Sequence, residues 1–441
     1  MPASRAARVR VASRTVGVLA LLGAALPVNL AVTATALVGS RFVPPVRRTA
    51  DRPRTVLVSG GKMTKSLQLA RAFHAAGHRV VMVESAKYRL TGHRFSRAVD
   101  RFHTVPTPGA EGYVEALLAI VEAEGVDVFV PVCSPAASYH DAVAKAALSP
   151  HCEVLHLEPA MVRTLDDKQA FSALAGSLGL SVPNHHRITD PAQVDDFDFD
   201  AATDPYVLKS IPYDPVHRLD LTPLPRPTPT ETAAFARSKP ISADTPWILQ
   251  AFVDGQEYCT HSTVRDGRVQ VYGCCESSAF QVNYATVDKP EIEAWVRGFV
   301  EPLGLTGQVS FDFIETTDGR VFPIECNPRT HSAITMFHDH PGLADAYLDP
   351  DAPPVRPLPE SRPTYWIYHE VWRLLTEPRR AARLGIILRG RDAVFDWADP
   401  LPFLVLHHVH IPSLLVRSLL AGQDWLRVDF NIGKLVEAGG D

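Results

Sequence analysis

The sequence has little of several features that would place it quickly in a class. With 44 basic and 49 acidic residues its formal net charge is −5, so no electrostatic argument favours a nucleic-acid partner. Its six cysteines form no C-x-x-C pair and show no metal-ligand spacing. The adjacent Cys274 and Cys275 are poorly placed for an ordinary disulfide, and we expect reduced cytosolic thiols. These absences argue against a nucleic-acid-binding protein and against a disulfide-stabilised secreted protein.

The common glycine-rich phosphate motifs are also absent. After the apolar stretch "TVLV" the chain runs "SGGKMTKS" (59–66), which matches neither G-x-G-x-x-G nor G-x-x-x-x-G-K-[ST]. This turn either helps bind a substrate at the end of a strand or only links strand to helix. Strand and helix patterns nevertheless alternate from Arg54 onward, with a helix from Lys65 to Ala76 ended by Gly77 and another beginning at Tyr113. The alternation predicts a parallel sheet flanked by helices.

One long uncharged apolar segment departs from this picture. Thr15–Gly39 carries no charge and could span a bilayer as a helix, with arginines on both sides. A cleaved signal peptide, a spanning anchor and a segment embedded on the cytoplasmic side are the three alternatives, and Pro27 and Asn29 weaken the spanning one. We expect membrane association with the catalytic part in the cytoplasm. We also expect removal of residues 1–50 to leave catalysis largely intact.

What the sequence does have is a pair of acids on what the pattern predicts to be a hairpin, "FDFIETTDGRVFPIECNPR" (311–329). Asp318-Gly319 is the dipeptide favoured at the centre of a two-residue type I′ turn, which places Asp312 opposite Glu325 and Phe313 opposite Ile324. Alternation puts Asn327 on the same face as Glu325. Facing carboxylates repel each other unless a cation lies between them, and Mg²⁺ prefers oxygen ligands. The alternative is a surface hairpin with solvated acids.

Two lysines precede this hairpin. Lys168 lies in "LDDKQAF", where Asp166 or Asp167 can cap a helix and the lysine falls one turn in. Lys209 ends the predicted strand "PYVLKS" and is followed by a proline-rich loop. Ammonium groups at helix and strand ends suit triphosphate binding, although either lysine alone would more often be a solvated surface residue.

The ordered set of motifs resembles the ATP-grasp superfamily: DK-x-x-F, YVLK, QAFVDG-x-E and FDF…IECNPR, over residues 54–348. The resemblance implies ATP and Mg²⁺ as cofactors. It implies that Lys168 and Lys209 contact phosphates, that Glu257 binds ribose, and that Arg329 steadies the transferred phosphate. The adenine hinge would be Gln250, Ala251, Phe252 and Val253, and the magnesium ligands Asp312, Glu325 and Asn327. The loop after Lys209 departs from the family, because it contains prolines where the family's lid has glycines.

A narrower resemblance, to mycosporine-glycine synthase, rests on "ECNPRTHSAITMF", the apolar N-terminal segment and the ending "WLRVDFNIGKLVEAGGD". It implies an ATP-dependent ligase of mycosporine-like amino acid biosynthesis that couples 4-deoxygadusol, a cyclohexenone, to glycine through a phosphorylated intermediate. A carboxylate–amine ligase acting through an acyl phosphate and a membrane-tethered nucleotide-binding protein without turnover are the alternatives. His331, Ser332 and Thr335 either contact substrate or cap the loop. The sequence does not decide the oligomeric state.

These observations predict an α/β and α+β protein with four regions. We expect an apolar N-terminal segment at 1–50, a parallel-sheet pre-ATP-grasp domain at 51–165, an ATP-grasp domain at 166–350 and a mainly helical extension at 351–441. Four tryptophans, Trp366, Trp372, Trp397 and Trp425, are expected to pack this extension against the core.

Overall fold

The computed structural model describes residues 5–42, 47–132, 134, 137–202, 204–211, 216–217, 220–277, 283–377 and 380–437. The α-helices are α1 Arg5–Phe42, α2 Thr64–Ala75, α3 Tyr113–Glu124, α4 Ser138–Leu148, α5 Pro159–Asp166, α6 Lys168–Ser177, α7 Ala192–Asp195, α8 Pro229–Arg237, α9 Pro290–Val300, α10 Leu343–Leu348, α11 Ile367–Thr376, α12 Arg380–Arg389, α13 Leu401–Val405 and α14 Ile411–Ala421. A π-helical turn, Leu406–His410, joins α13 to α14.

The strands are β1 Thr55–Val58, β2 Arg79–Ser85, β3 Arg101–Val105, β4 Val128–Val130, β5 Glu153–Val154, β6 His185–Ile188, β7 Tyr206–Ser210, β8 Trp247–Ala251, β9 Gln256–Arg265, β10 Arg268–Glu276, β11 Asn283–Tyr284, β12 Gly307–Glu315, β13 Val321–Asn327, β14 Thr364–Tyr365, β15 Arg391–Asp392, β16 Arg427–Asp429 and β17 Lys434–Val436.

The first sheet is parallel, as the alternating pattern predicts. Its five strands lie in the order β3-β2-β1-β4-β5. Helices cover both faces of such a sheet, which is why β1 and β2 are nearly continuous apolar runs with buried side chains. Gly77 ends α2 with φ of +96°, a conformation that glycine adopts without a steric penalty. The chain order reverses between β1 and β4, so their carboxyl ends flank a crevice.

Two antiparallel sheets follow. The smaller has the order β6-β8-β7 and the larger β10-β9-β12-β13. An aromatic cluster covers one side of the larger sheet. In it, Trp295 and Phe299 of α9 stack with their ring centroids 5.4 Å apart, and they contact Phe311 and Phe313 of β12. The side chain of the intervening Asp312 points to the opposite side, away from this core. The packing of the phenylalanines therefore determines which face of the sheet carries the acid.

The C-terminal region is mainly helical, as expected, and it contacts both α1 and α2. Trp366 and Trp425 are buried, but Trp372 and Trp397 are exposed, so the prediction that all four tryptophans pack inward is wrong for two. Trp366 donates from its indole nitrogen to Thr64 at the start of α2, 3.0 Å away. The long apolar helix α1 lies against α13, the π-helical turn and α14. The C-terminal region thus connects α1 to the parallel sheet.

Candidate functional site

The two acids of the β12–β13 hairpin face each other, as predicted, but the turn and the strand pairing that bring them together differ from the prediction. Only Gly319 of the predicted turn pair has positive φ, and the Thr316 amide bonds to the Arg320 carbonyl, so the turn contains three residues rather than two. Phe313 consequently pairs with Pro323, and its predicted pairing with Ile324 is wrong. A bulge beside Asp312 then absorbs one residue of β13 and restores the pairing of Asp312 with Glu325. Two one-residue deviations cancel at the site.

An amide and a guanidinium extend this pair. Asn327 donates from Nδ2 to Asp312 Oδ2 at 3.3 Å, and Arg329 donates to Asn327 Oδ1. Asp312 and Glu325 supply carboxylate oxygens on facing strands, which is the donor chemistry that Mg²⁺ prefers. Both are partly exposed, so a cation brought in with a nucleotide can reach them. The two carboxylates fit a magnesium site, whereas Asn327 directs its amide nitrogen to Asp312 and its oxygen to Arg329, so its role as a ligand stays a prediction.

Lys168 lies at the start of α6 rather than one turn in, which corrects that prediction. Asp167 is the N-cap, and its carboxylate accepts from the amides of Gln169 and Ala170 at 2.9 and 3.0 Å. This places the Lys168 ammonium 3.9 Å from the Glu325 carboxylate. The cap therefore positions the first lysine beside the facing acids.

Lys209 extends from β7 toward the same acids. Its ammonium donates to Gln250 Oε1 on the neighbouring strand β8, 3.0 Å away. Desolvation lowers the pKa of Lys209 to about 8, and the Lys168 charge adds to this effect. Three carboxylates of the site act in the opposite direction and raise the pKa of Lys209: Glu325, Glu257 and Asp312. The two lysines therefore share one electrostatic environment with these acids.

The segment assigned to the adenine hinge leaves β8. The amides of Ala251 and Phe252 donate to the carbonyls of Asn184 and Pro205, at 2.8 and 2.7 Å. Gln250 is buried, and its side-chain oxygen is a neutral acceptor for the Lys209 ammonium. Val253 follows, and Glu257 on β9 accepts from the Ser277 hydroxyl at 2.8 Å. The hinge and Glu257 are thus held by backbone and hydroxyl contacts.

The proline-rich segment assigned to the lid lies partly outside the described residues, since 212–215 and 218–219 are not described. In the described part, Leu224 pairs with Tyr206 through two backbone hydrogen bonds of 2.7 and 2.8 Å. Thr228 caps α8, which starts at Pro229. The proposed lid is therefore described continuously only over its carboxyl-terminal part, from residue 220 to α8.

Three contacts near the site had no sequence signal. Lys65 of α2 donates to the Thr330 carbonyl at 2.5 Å, joining the parallel sheet to the loop after Arg329. Asn431, near the carboxyl end, donates from Nδ2 to Ser332 Oγ at 2.7 Å. Asp166 lies within electrostatic reach of Arg329, and desolvation raises its pKa. Each contact joins residues that are distant in sequence.

His331 lies two residues after Arg329 in the chain. Its Nδ1 accepts from the Ala333 amide at 3.2 Å, so it caps the short helical turn after it, one of the two predicted alternatives. Desolvation and then the nearby Lys65 charge lower the pKa of His331 to about 3. A ligand atom of His331 lies within 4.8 Å of those of Cys259 and Asp312. The imidazole is therefore neutral and close to the acid pair.

The turn at 59–66 borders a cavity of about 120 Å³ at the carboxyl ends of β1, β2 and β4. Lys62 lies 3.5 Å from Glu84, and Asp141 accepts from Ser59 at 3.2 Å. Ser138, beside this cavity, donates to the Pro328 carbonyl at 2.7 Å. The crevice of the parallel sheet thus adjoins the loop that carries Arg329.

Comparison with known proteins supports the architecture. No protein-family model and no curated protein matches the sequence. Among solved structures, a biotin carboxylase–β-γ-ATP complex from Campylobacter jejuni has a TM-score of 0.52 at 13% identity, covering 67% of this chain and 72% of that chain. An ADP complex of purK, an N5-carboxyaminoimidazole ribonucleotide synthetase, has a TM-score of 0.51 at 14% identity, covering 67% and 74%.

A third similar structure is the biotin carboxylase domain of 2-oxoglutarate carboxylase from Hydrogenobacter thermophilus, in complex with MgADP, ADP and bicarbonate. It has a TM-score of 0.50 at 12% identity, covering 64% of this chain and 65% of that chain. Similarity at this level of identity shows the fold. The expected fold class is confirmed: the chain has the ATP-grasp fold, with an N-terminal parallel sheet, an apolar N-terminal helix and a helical C-terminal region.

Proposed function

We propose that this protein is an ATP-dependent ligase that joins a cyclohexenone, 4-deoxygadusol, to the amine of glycine and forms mycosporine-glycine. The observation that carries the ligase proposal is the convergence of Asp312, Glu325, Asn327, Arg329 and Lys168 through the contacts described above. The choice of substrates rests on the sequence resemblance to mycosporine-glycine synthase. The proposed ligase activity and the proposed substrates are therefore supported by different observations.

The nucleotide would occupy the space between the smaller and larger antiparallel sheets. Lys168 and Lys209 would contact its phosphates, Gln250 to Val253 would contact adenine, and Glu257 would bind the ribose hydroxyls. Asp312, Glu325 and Asn327 would hold Mg²⁺, which neutralises phosphate charge when it is bound. Lysines act here as compact point charges, which suits a triphosphate whose oxygens change position during transfer.

The proposed reaction has two steps. An oxygen of the vinylogous acid attacks the γ-phosphorus of ATP, ADP leaves, and the ring carries a phosphate in place of a poor leaving group. The glycine nitrogen then adds to that ring carbon, the C–O bond to phosphate breaks, and the nitrogen loses a proton to give an enaminone. Arg329 would contact the transferred phosphoryl group through its planar guanidinium. Catalysis would come from positioning and charge stabilisation.

A single assay tests this function. ADP release is measured with no acceptor, with a panel of carboxylates and amines, and with 4-deoxygadusol plus glycine. We expect stimulation by the last mixture, together with a product that contains both substrates. Stimulation by the carboxylate panel alone would show an acyl-phosphate ligase and refute the proposed substrates. No stimulation by any mixture would favour a nucleotide-binding protein without turnover.

A further inference from the structure

The apolar helix α1 is attached to the C-terminal region along its length. The buried residues of the helix, Thr15, Leu22, Thr33 and Ala36, lie on one side of it together with the half-buried Asn29. Their spacing is that of one face of an α-helix. Thr15 accepts from the indole nitrogen of Trp425 at 3.0 Å. Asn29, the polar residue that weakened a membrane-spanning assignment, bonds to the Tyr368 hydroxyl and to His408, each at 2.7 Å.

The outward side of α1 is apolar. Leu21 and Val28 are 63% and 65% exposed, and Val16, Val38 and Phe42 are exposed as well. The inward side carries apolar residues as well, since Leu22 is buried and Val18 and Leu19 pack beside it. A surface helix of a water-soluble protein has a polar side in water, whereas a helix that is apolar all round lies in an apolar environment. The apolar outer side of α1 therefore indicates an apolar medium there.

The helices α11 and α12 carry a second group of exposed apolar side chains. Tyr368, which bonds to Asn29, lies one turn before Trp372 on α11, and the two helices pack together through Arg383 and Glu377 at 2.8 Å. Leu375 of α11 and Leu388 of α12 are 63% and 68% exposed. Trp372 and Trp397 are exposed too, and tryptophan favours the boundary between water and lipid.

We propose that α1, α11 and α12 together form a monotopic membrane-binding surface, with α1 lying in the plane of one leaflet. The residues from Thr15 to Ser40 carry no charge over about 39 Å, and arginines stand beyond both ends, at Arg14 and Arg41. Lipid headgroups would contact those arginines, while acyl chains would contact the outward apolar side of α1.

The inward stripe argues against a crossing by α1 alone. It runs from Thr15 to Ala36, about 32 Å, which equals the hydrocarbon thickness of about 30 Å. A helix bonded to the C-terminal region over that length cannot span a bilayer unless the region enters with it. Cleavage near Ala36 would remove the whole stripe and leave Tyr368 and Trp425 without these partners. The embedded alternative keeps all of these contacts. A crossing by α1 together with the apolar stretch Leu401–Ala421, on which it packs, would keep them too, and the labelling experiment below distinguishes the two.

Vesicle sedimentation of the full-length protein tests the surface. The probes are vesicles of phosphatidylcholine alone and of phosphatidylcholine with phosphatidylglycerol. We expect the double variant Leu375→Glu/Leu388→Glu to bind at least about tenfold more weakly than the unmodified protein, because two side chains that would enter the interface become charged. Val143→Glu is the matched control, since Val143 is an exposed aliphatic residue on α4 and should not alter binding. Unchanged binding of the double variant overturns the proposal.

Labelling determines the topology. Arg10→Cys and Arg41→Cys flank the uncharged stretch, and an impermeant maleimide is added outside vesicles that carry the protein, with labelling of the unmodified chain subtracted. A monotopic α1 exposes both cysteines to the reagent. Labelling at one end only would show a spanning helix and overturn the proposal. A lipid-free dimer in which Leu375 and Leu388 are protected from solvent would overturn it as well, because a second copy would then cover the surface.

Discussion

The facing carboxylates Asp312 and Glu325 give the most direct test at the scale of single residues. Neutralising one of them as Asp312→Asn or Glu325→Gln relieves their repulsion, and Glu325→Gln also removes the attraction to Lys168 at 3.9 Å, so the free energy of unfolding without nucleotide should change little. Turnover should fall on the order of 10²–10³, because developing charge on the transferred group loses an electrostatic partner. Thermal unfolding without nucleotide and turnover at saturating magnesium and ATP are measured together.

Asp318→Asn is the matched control for this pair of variants. Asp318 is an exposed acid in the turn of the same hairpin, where it contacts Arg320 at 2.8 Å. It should leave turnover unchanged. Near-normal turnover in Glu325→Gln would mean that the facing acids do not hold the nucleotide's cation.

Lys209 should make nucleotide binding depend on pH in the alkaline range. Its pKa of about 8 means that the free protein carries this charge below pH 8 and loses it above. We expect the dissociation constant for magnesium–ATP to be constant below pH 8 and to rise above it, by at most about tenfold per pH unit. Lys209→Arg should abolish the dependence because the guanidinium stays protonated. Calorimetric titrations from pH 6.5 to 9.5 measure it, and a flat profile in the unmodified protein would contradict this assignment.

At the scale of elements, the N-cap of α6 connects helix stability to nucleotide binding. Asp167→Ala removes the acceptor for the Gln169 and Ala170 amides and should lower the free energy of unfolding by about 1 kcal/mol. The Michaelis constant for ATP should rise, because Lys168 begins that helix. Asp167→Asn keeps the cap but loses the charge pair with Arg187, which is 3.1 Å away. Denaturant unfolding and ATP kinetics of both variants separate the two roles. Equal losses in both would assign the effect to Arg187.

At the scale of the whole molecule, the docking of α1 changes the expected result of deleting residues 1–50. The sequence alone favours intact catalysis, since the nucleotide-binding motifs begin later. In the fold, Trp425 contacts Thr15 and stacks with Arg14 at 3.9 Å. The strand β16 follows Trp425 and leads to Asn431, which bonds to Ser332 near the acid pair.

We therefore expect the deletion to lower the unfolding temperature and to weaken acceptor binding more than ATP binding. Thermal unfolding and separate Michaelis constants for ATP and acceptor measure this. Thr15→Val is the gentler companion variant, because it removes one hydrogen bond and keeps the apolar contact. A deletion variant with unchanged stability and kinetics would show that α1 is an independent anchor.

The sequence by itself determined the features that depend on local patterns. Alternating apolar runs and glycine ends predicted the parallel sheet and the extent of α2, because strands buried on both faces need such runs. The placement of Asp312 opposite Glu325 was predicted correctly, although the turn was not. A two-residue turn without a bulge gives the same pairing as a three-residue turn with one, and local rules do not distinguish the two.

Only the tertiary structure decided which distant segments complete the site. The contacts of Lys65 with Thr330 and of Asn431 with Ser332 join residues 265 and 99 positions apart in the sequence, and no local pattern encodes them. The same holds for α1, whose apolar composition leaves a spanning, a cleaved and an embedded helix open, although Pro27 and Asn29 weaken the first. The hydrogen bonds of Asn29 to Tyr368 and His408 determine which side of α1 faces the C-terminal region, because a polar group in an apolar helix takes the position where it can be hydrogen-bonded.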